Sequence, residues 1–414
     1  MVVQAFDNGV TLVLQPRDTS AAVSLGGRLN FGTYLDPHGQ PGLTHLTSSM
    51  LRRGTQAHTF QQINQALDRV GASLGVSSGR DTLSIGGRCL GDDLGLLLDL
   101  LEEMLRAPSF DERELSRMRG QLLTSMAELD TDPSYRAALA FIDALYTSEH
   151  PYGRPMLGTA SCIRGLEPED VRGHYAQHMH PEGAVFAIVG SFEPEWVIER
   201  FGTTLGAWRP AAVPARWTCP PTELPLQRVY RTIEIPARPQ LDVMYGVLGM
   251  RRHAPDYYAA TVVNVVLAEL GMMGRLGATI RDEKGLVYDI DSSLLASQAP
   301  RHWVISAGVD PQHLAATITA TDQVLERMRE ELISESELED ARNLLIGSLP
   351  LQMETNEGIA SYLMNAMTYK LGIDFVERYP DLIGSVTAEQ VREVMRRYWV
   401  PGREVITVAG TLTP

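Results

Sequence analysis

Two stretches of the chain share one pattern and decide the fold. They read LEPEDVRGHYAQHMHPEGAVFAIVG over Leu166–Gly190 and VTAEQVREVMRRYWVPGREVITVAG over Val386–Gly410, and they align without a gap. Each runs from an acidic helix start through a helix and a proline to an apolar strand and a glycine. The first copy meets identical residues in the second at Glu169, Val171, Arg172, Pro181, Val185 and Gly190. This ordered match predicts two copies of one mixed helix-and-sheet unit.

The segment between the copies has a different composition. Trp208–Leu226 carries five prolines and little hydrophobic periodicity, which is typical of a linker. A second pair, Asp111–Met126 and Ser334–Leu349, repeats at a nearly equal offset. We therefore predict an α/β fold (α+β type) with an N-terminal domain over 1–207, a linker over 208–228 and a C-terminal domain over 229–414.

Periodicity places the elements of the first copy. Asp7-Asn8-Gly9 is a turn signal between two apolar runs and predicts a hairpin. Three- and four-residue apolar steps predict helices that end at Gly54 and Gly71. The predicted strands and helices are Val2–Phe6, Val10–Leu14, Ala22–Phe31, Pro41–Arg53, Thr59–Val70, two strands in Leu74–Leu90, Leu94–Leu105, Asp111–Leu129, Pro133–Tyr146 and Val185–Val189, followed after the linker by Val229–Ile235 and Val243–Leu248.

Composition and charge exclude several classes of protein. The 414 residues are 44% hydrophobic and carry a net charge of −15, so nucleic acid and anionic membranes are not expected as partners. The three cysteines, Cys89, Cys162 and Cys219, form neither a disulfide framework nor a CxxC metal motif. The N-terminus has no signal-peptide pattern, and no apolar run is long enough to span a membrane. We expect a soluble cytoplasmic protein.

A third stretch, GLTHLTSSMLRRGT over Gly42–Thr55, resembles the signature helix of the inverted-zincin peptidases, the family of pitrilysin, insulin-degrading enzyme and mitochondrial processing peptidase. The loop HPYGRP over His150–Pro155 with Leu157-Gly158-Thr159, and the element RDEKGLVY over Arg281–Tyr288, are similar to further motifs of that family in the same order. The resemblance implies two homologous domains, each a mixed, mostly antiparallel sheet with helices on one side, facing each other like a clamshell.

The family's HxxEH motif supplies two histidine ligands for zinc on one helical face and a glutamate as general base. Here His45 keeps the first position, while Ser48 stands at the glutamate and Ser49 at the second histidine. The family pattern laid onto the long helix puts Ser125 at the third ligand and Met118 where a second glutamate is usual. A serine hydroxyl is neither a base at neutral pH nor a competitive zinc ligand. We therefore predict no metal on this chain and no peptidase activity of the chain alone.

The other half of the family's chemistry is kept. By resemblance, Arg281 and Tyr288 match a pair that holds the substrate backbone and supports the tetrahedral intermediate, and both side chains are suitable donors to an oxyanion. The resemblance then implies a non-catalytic subunit of a heteromeric zinc endopeptidase acting on unfolded peptides, with zinc on a paralogous partner that has an intact HxxEH. The alternative is a homodimeric peptide-binding or scaffold protein, and a third option is an active enzyme with remodelled ligands.

Other candidate sites are weaker. His174, His178 and His180 form HxxxHxH, but no carboxylate or cysteine completes a metal set, and the second copy has apolar or aromatic residues at these positions. We therefore interpret them as structural. Ser49 and His45 lie one helical turn apart without an orienting acid or a GxSxG elbow, which argues against a serine hydrolase.

Overall fold

Two β-sheets and fifteen helices make up the part of the chain that the computed structural model describes, which is residues 1–147, 149–209, 218–222 and 224–412. Part of the predicted proline-rich linker, residues 210–217 and 223, lies outside the described residues. No helix in the described ranges is both long and apolar enough to cross a membrane.

The first copy holds six strands and eight helices, which follow the periodicity of the sequence closely. They are β1 (Val2–Ala5), β2 (Thr11–Pro16), β3 (Ala22–Leu29), α1 (Leu43–Met50), α2 (Phe60–Arg69), β4 (Ser73–Ser78), β5 (Leu83–Leu90), α3 (Leu94–Arg106), α4 (Glu112–Leu129), α5 (Pro133–Tyr146), α6 (Ala160–Gly165), α7 (Pro168–His178), β6 (Val185–Gly190) and α8 (Pro194–Thr203). Local chemistry explains the boundaries: Thr59 forms a capping box with Gln62 at the start of α2, and Asp132 caps α5.

The second copy holds five strands and seven helices. They are β7 (Val229–Glu234), β8 (Leu241–Leu248), α9 (Tyr257–Ala268), α10 (Gly274–Leu276), β9 (Val287–Ala296), β10 (Pro300–Val309), α11 (Leu314–Glu330), α12 (Glu335–Gln352), α13 (Asn356–Thr368), α14 (Phe375–Gly384), α15 (Ala388–Tyr398) and β11 (Val405–Gly410). A π-helical segment, Gly277–Glu283, connects α10 to the turn before β9. Thr387 forms a capping box with Gln390 at the start of α15.

The two sheets have the same topology, which confirms the internal repeat. The first sheet has the order β1-β2-β6-β3-β5-β4 and the second β7-β11-β8-β10-β9, so they match once β1 is set aside. In each sheet one pair is parallel, β2 with β6 and β7 with β11, and the other pairs are antiparallel. The aligned strands β6 and β11 are both buried along their full length.

Each copy contributes one helix to the other copy's sheet. Residues 127–153, which include α5, belong to the compact unit of the second sheet, and residues 352–373, which include α13, belong to the unit of the first sheet. Within its unit, α13 packs on β3 and β6, and α5 packs on β8 and β11. A division of the chain at the predicted linker does not account for these two segments.

The exchanged helices also change the layering that the sequence predicted. The first sheet packs one face against a core shared with α1–α4 and α7, which includes Leu12, Phe186 and Ile188. Its other face carries Val13, Val185, Ala187 and Val189, which pack against Ile359, Ala360, Leu363 and Met364 of α13. Helices therefore lie on both faces of this sheet rather than on one side, because β2 and β6 are apolar on both faces and both must be removed from water.

Candidate functional site

Helix α1 carries the positions that correspond to HxxEH, and a buried carboxylate holds its first turn. Asp36 Oδ2 accepts a hydrogen bond from the backbone N–H of Gly42, and Oδ1 accepts one from that of Thr44, both at 2.7 Å. Burial raises the pKa of the Asp36 carboxyl, while its hydrogen bonds to Thr44 and Gly42 oppose that shift. Asp36 therefore satisfies donors at the helix N-terminus that lack partners within the helix.

The glycines of two family-like motifs allow a close backbone crossing beside that turn. Gly42 (φ +92°) and Gly158 (φ +81°) adopt the left-handed conformation. A Cβ at Gly42 would lie 2.6 Å from the Leu157 carbonyl oxygen, and one at Gly158 would lie 2.2 Å from that of Pro41. Only glycine fits such contacts without displacement of the backbone.

The HPYGRP loop supports the same turn. The guanidinium of Arg154 donates to the Asp36 carbonyl oxygen at 2.5 Å, and that of Arg80 donates to the Arg154 carbonyl oxygen at 3.1 Å. His150 Nδ1 accepts from the backbone N–H of Tyr152 at 3.0 Å, which orients the loop from its other end. Through these contacts the HPYGRP loop supports the start of α1.

The degenerate positions on α1 are occupied by polar groups bonded within the helix. Ser48 is buried and its hydroxyl donates to the Thr44 carbonyl oxygen at 2.7 Å. The Ser49 hydroxyl donates to the His45 carbonyl oxygen at 2.9 Å. His45 Nδ1 lies 3.0 Å from Ser78 Oγ on β4, and burial lowers the pKa of its imidazole, so the ring is neutral at physiological pH.

The helix that would carry the third ligand offers no donor either. Ser125 of α4 is exposed, and Met118 packs against the apolar core. Within the described ranges, no group of three or more histidine, cysteine, aspartate or glutamate side chains could hold a metal ion. The donor set around His45 consists of one imidazole and hydroxyls that already have partners, and this set does not fit zinc.

The HxxxHxH residues have a different arrangement from a metal site. Thr44 Oγ1 lies 2.8 Å from His174 Nε2, and the His174 ring lies 5.4 Å from that of Phe31 and 4.8 Å from that of His178. Burial lowers the pKa of His174 to about 3, and the nearby His178 adds to that shift. His174 is therefore a neutral hydrogen-bond partner of α1. The 130 residues between it and Thr44 hid this pair from the sequence.

Arg281 and Tyr288 lie together in the second unit. Arg281 belongs to the π-helical segment, and Tyr288 is the second residue of β9, at the free edge of the sheet. The Arg281 guanidinium carbon lies 5.9 Å from the centroid of the Tyr288 ring. Gly285 (φ +62°) makes the turn between them, and its N–H donates to the Arg281 carbonyl oxygen at 2.9 Å. This turn explains the glycine of the R-x-x-x-G-L-x-Y pattern.

The polar ends of this pair remain largely available. Tyr288 is 83% exposed, and its hydroxyl makes no hydrogen bond to any residue that the structure describes. The guanidinium of Arg281 has a distant contact with Met273 Sδ, at 3.8 Å, and one with the Asp282 carboxylate, at 3.7 Å. Both side chains can therefore donate hydrogen bonds to a bound group.

This fold and site define a class of protein: a duplicated α/β architecture in which the helix with the HxxEH-like pattern carries one imidazole and two serine hydroxyls at the corresponding positions. Comparison with known proteins agrees. Residues 11–160 match the model of the insulinase family (peptidase family M16), and residues 165–345 match that of the peptidase M16 inactive domain. The chain belongs to peptidase family M16.

Individual relatives span most of the chain. An uncharacterized zinc protease of Mycobacterium tuberculosis is 26% identical over 86% of this chain and 81% of its own length. A non-peptidase homolog of Helicobacter pylori is 20% identical over 89% of this chain and 84% of its own length. The crystal structure of a peptidase M16 inactive domain from Pseudomonas fluorescens superposes with a TM-score of 0.91 at 24% identity, covering 100% of this chain and 98% of that one. Residues 165–345 thus match a domain described as inactive, and the HxxEH-like positions of the first copy carry Ser48 and Ser49.

Proposed function

We propose that this chain is the non-catalytic subunit of a heteromeric zinc metalloendopeptidase that cleaves unfolded peptides. A paralogous partner with an intact HxxEH holds the zinc, and this chain supplies chamber wall together with Arg281 and Tyr288. The observation that carries the proposal is the contrast in hydrogen bonding. The Tyr288 hydroxyl is exposed beside Arg281, whereas the hydroxyls of Ser48 and Ser49 on α1 are satisfied by their own helix.

The chemistry of the pair suits amide hydrolysis at a metal on another subunit. Attack of zinc-bound water on an amide places negative charge on the carbonyl oxygen, and fixed donors to that oxygen stabilise the transition state. A guanidinium and a phenol that have no strong internal partner are such donors. The general base and the metal-bound water belong to the partner in this scheme.

The edges of the two sheets offer a second means of contact with peptides. β4 and β9 are terminal in their sheets, so each presents unpaired backbone groups along one side within the described part of the chain. An extended peptide adds to such an edge through main-chain hydrogen bonds, independently of its sequence. Selection of unfolded chains by backbone pairing is consistent with a processing enzyme for diverse peptides.

The test is purification of the protein from its source cells under native conditions, followed by identification of co-purifying chains and assays of zinc and peptidase activity. We expect a partner with intact HxxEH, about one zinc per pair, and activity that the chain alone lacks. Recovery of a zinc-free homodimer without cleavage would refute the proposal. We also propose a cytoplasmic location for the complex, because Cys89, Cys162 and Cys219 form no disulfide within the described residues.

The same experiment distinguishes a second candidate. A homodimeric peptide-binding or scaffold protein is favoured by one relative, the Helicobacter pylori protein described as a non-peptidase homolog. In that case peptide binding would persist without any zinc in the preparation, and substitution of Arg281 would change affinity but no rate.

A further inference from the structure

A cavity of about 690 Å³ lies within the first unit, apart from the α1 positions and from Arg281. Strands β3, β4 and β5 form its floor, α2 bounds it on one side and α13 on the other. A cavity of this size accommodates a small organic ligand or a short peptide.

Three glycines leave the centre of the cavity floor without side chains. Gly26 pairs with Gly86, which in turn pairs with Gly75, so one row across three strands has no side chains. A Cβ at Gly86 would meet no atom within 4 Å, whereas one at Gly26 would lie 3.1 Å from Met364 Cγ. At Gly75 and Gly86 the surface that faces a ligand is therefore bare backbone, whereas Met364 covers Gly26.

The rows on either side of the glycines carry arginines at opposite ends. Arg28 pairs with Ser84 on one side of the glycine row, and Arg88 pairs with Ser24 and Ser73 on the other. These two rows lie four residues apart along a strand, which corresponds to about 14 Å at the usual rise per residue.

Arg28 is the unusual member of this set. It is half-buried, and it makes no hydrogen bond or ion pair to any residue in the described ranges. Burial lowers the pKa of its guanidinium, and Tyr369 opposes that shift. A partly buried cation that lacks an ion-pair partner loses hydration energy, and a bound anion would offset that loss. Its presence is accounted for if a ligand supplies the missing anion.

Carboxylates lie on the cavity wall near the Arg88 end. Glu357 follows Asn356, whose side-chain amide donates to the Ala22 carbonyl oxygen at 2.8 Å. Ala22 lies two residues before Ser24 on β3, so Glu357 is close to the row of Arg88. Asp68 lines the cavity from α2, and neither carboxylate is in an ion pair among the described residues.

We propose that this cavity binds a short free peptide of about three to five residues, with its terminal carboxylate on Arg28 and its terminal ammonium at the end near Glu357 and Asp68. A zwitterion complements Arg28 at one end and, at the other end, the two carboxylates, which outnumber Arg88 there. The glycine row lets its backbone approach the sheet. This site does not require a catalytic partner, so its test can fail or succeed independently of the subunit function proposed above.

Titration calorimetry of the full chain alone with tetra-alanine is the direct test, with N-acetylated and C-amidated tetra-alanine as matched probes. We expect micromolar binding of the free peptide and at least tenfold weaker binding of each blocked form, because each loses one charged contact. Equal binding of the acetylated peptide would overturn the zwitterion and leave an anion site. Absence of saturable binding below about 10 mM of the free peptide would overturn the site altogether.

Two variants locate the binding. Gly86→Leu should abolish it by filling open space on the floor, while Gly86→Ala should retain it. Arg28→Met should weaken binding at least tenfold and raise the melting temperature of the free protein, because it removes an unpaired desolvated charge. Arg113→Met, at an exposed arginine of α4 that does not line the cavity, is the control and should change neither. Unchanged binding in both Gly86→Leu and Arg28→Met would contradict this assignment.

Discussion

Two polar regions of this protein differ in how their hydrogen-bonding groups are used. On α1, Ser48 and Ser49 donate to carbonyl oxygens one turn earlier, and Thr44 contacts His174. In the second unit, the Tyr288 hydroxyl is exposed beside Arg281. The polar groups of the first region have close internal partners. In the second region the guanidinium has only distant partners, and the phenol has no hydrogen bond among the described residues. Internal satisfaction of polar groups thus distinguishes α1 from the region of Arg281 and Tyr288, where side chains can still donate to a bound group.

The strongest test of this contrast is removal of the free donor. In the complex with a partner that has an intact HxxEH, Arg281→Ala should lower kcat/KM by about 10²–10³-fold, the usual effect of losing one oxyanion donor. Zinc content should stay unchanged, because Arg281 is not a ligand. Steady-state kinetics and metal analysis of the same preparation provide the measurement, and Arg113→Ala is the control. Unaltered turnover would show that the pair has no catalytic role.

A second test restores the charge that α1 has lost. Ser48→Glu should lower the free energy of unfolding by about 2–4 kcal/mol, because it buries a carboxylate without a partner. Ser125→Glu places the same residue on an exposed helix surface and should change it by less than about 0.5 kcal/mol. Urea unfolding of both variants gives the comparison. Equal stability of the two would mean that the space around Ser48 still accommodates a catalytic acid.

The histidine beside α1 predicts a dependence of stability on pH. Because the folded-state pKa of His174 is about 3, below its ordinary value of 6.5, the unfolded state takes up more protons between these values. The contribution of neutral His174 to the free energy of unfolding is therefore complete above pH 6.5 and is lost as the pH falls toward 3. Wild type should lose about 2 kcal/mol more than His174→Gln between pH 6.5 and 5. Unfolding curves at the two pH values provide the test, and parallel losses would contradict it.

The smallest expected effect concerns the exposed tyrosine. Tyr288→Phe should leave the free energy of unfolding within about 0.5 kcal/mol of wild type, because the hydroxyl has no internal partner. Activity of the complex should fall about tenfold, since one neutral donor to the oxyanion is lost. Thermal unfolding and kinetics on one sample separate the effect on stability from the effect on activity. A clear loss of stability would show that the hydroxyl has a structural partner after all.

Much of this protein was determined by the sequence itself. The aligned stretches Leu166–Gly190 and Val386–Gly410 predicted the duplication, and both sheets have the same strand order. The turn at Asp7-Asn8-Gly9 predicted the β1–β2 hairpin. The spacing of His45, Ser48 and Ser49 predicted that they share helix α1. These features depend on residues close together in the chain, whose spacing fixes backbone conformation and side-chain direction.

Only the tertiary structure decided which surfaces meet. The helix α5 was predicted from the sequence, but the exchange of α5 and α13 between the two sheets was not. Periodicity shows that a helix face is buried and not what covers it. The same reason applies to Asp36 at the start of α1, to the pairing of Thr44 with His174, and to the unpaired Arg28 over a glycine floor. Their partners, or the absence of partners, follow from packing between elements distant in sequence, where the energy of burial outweighs local preference.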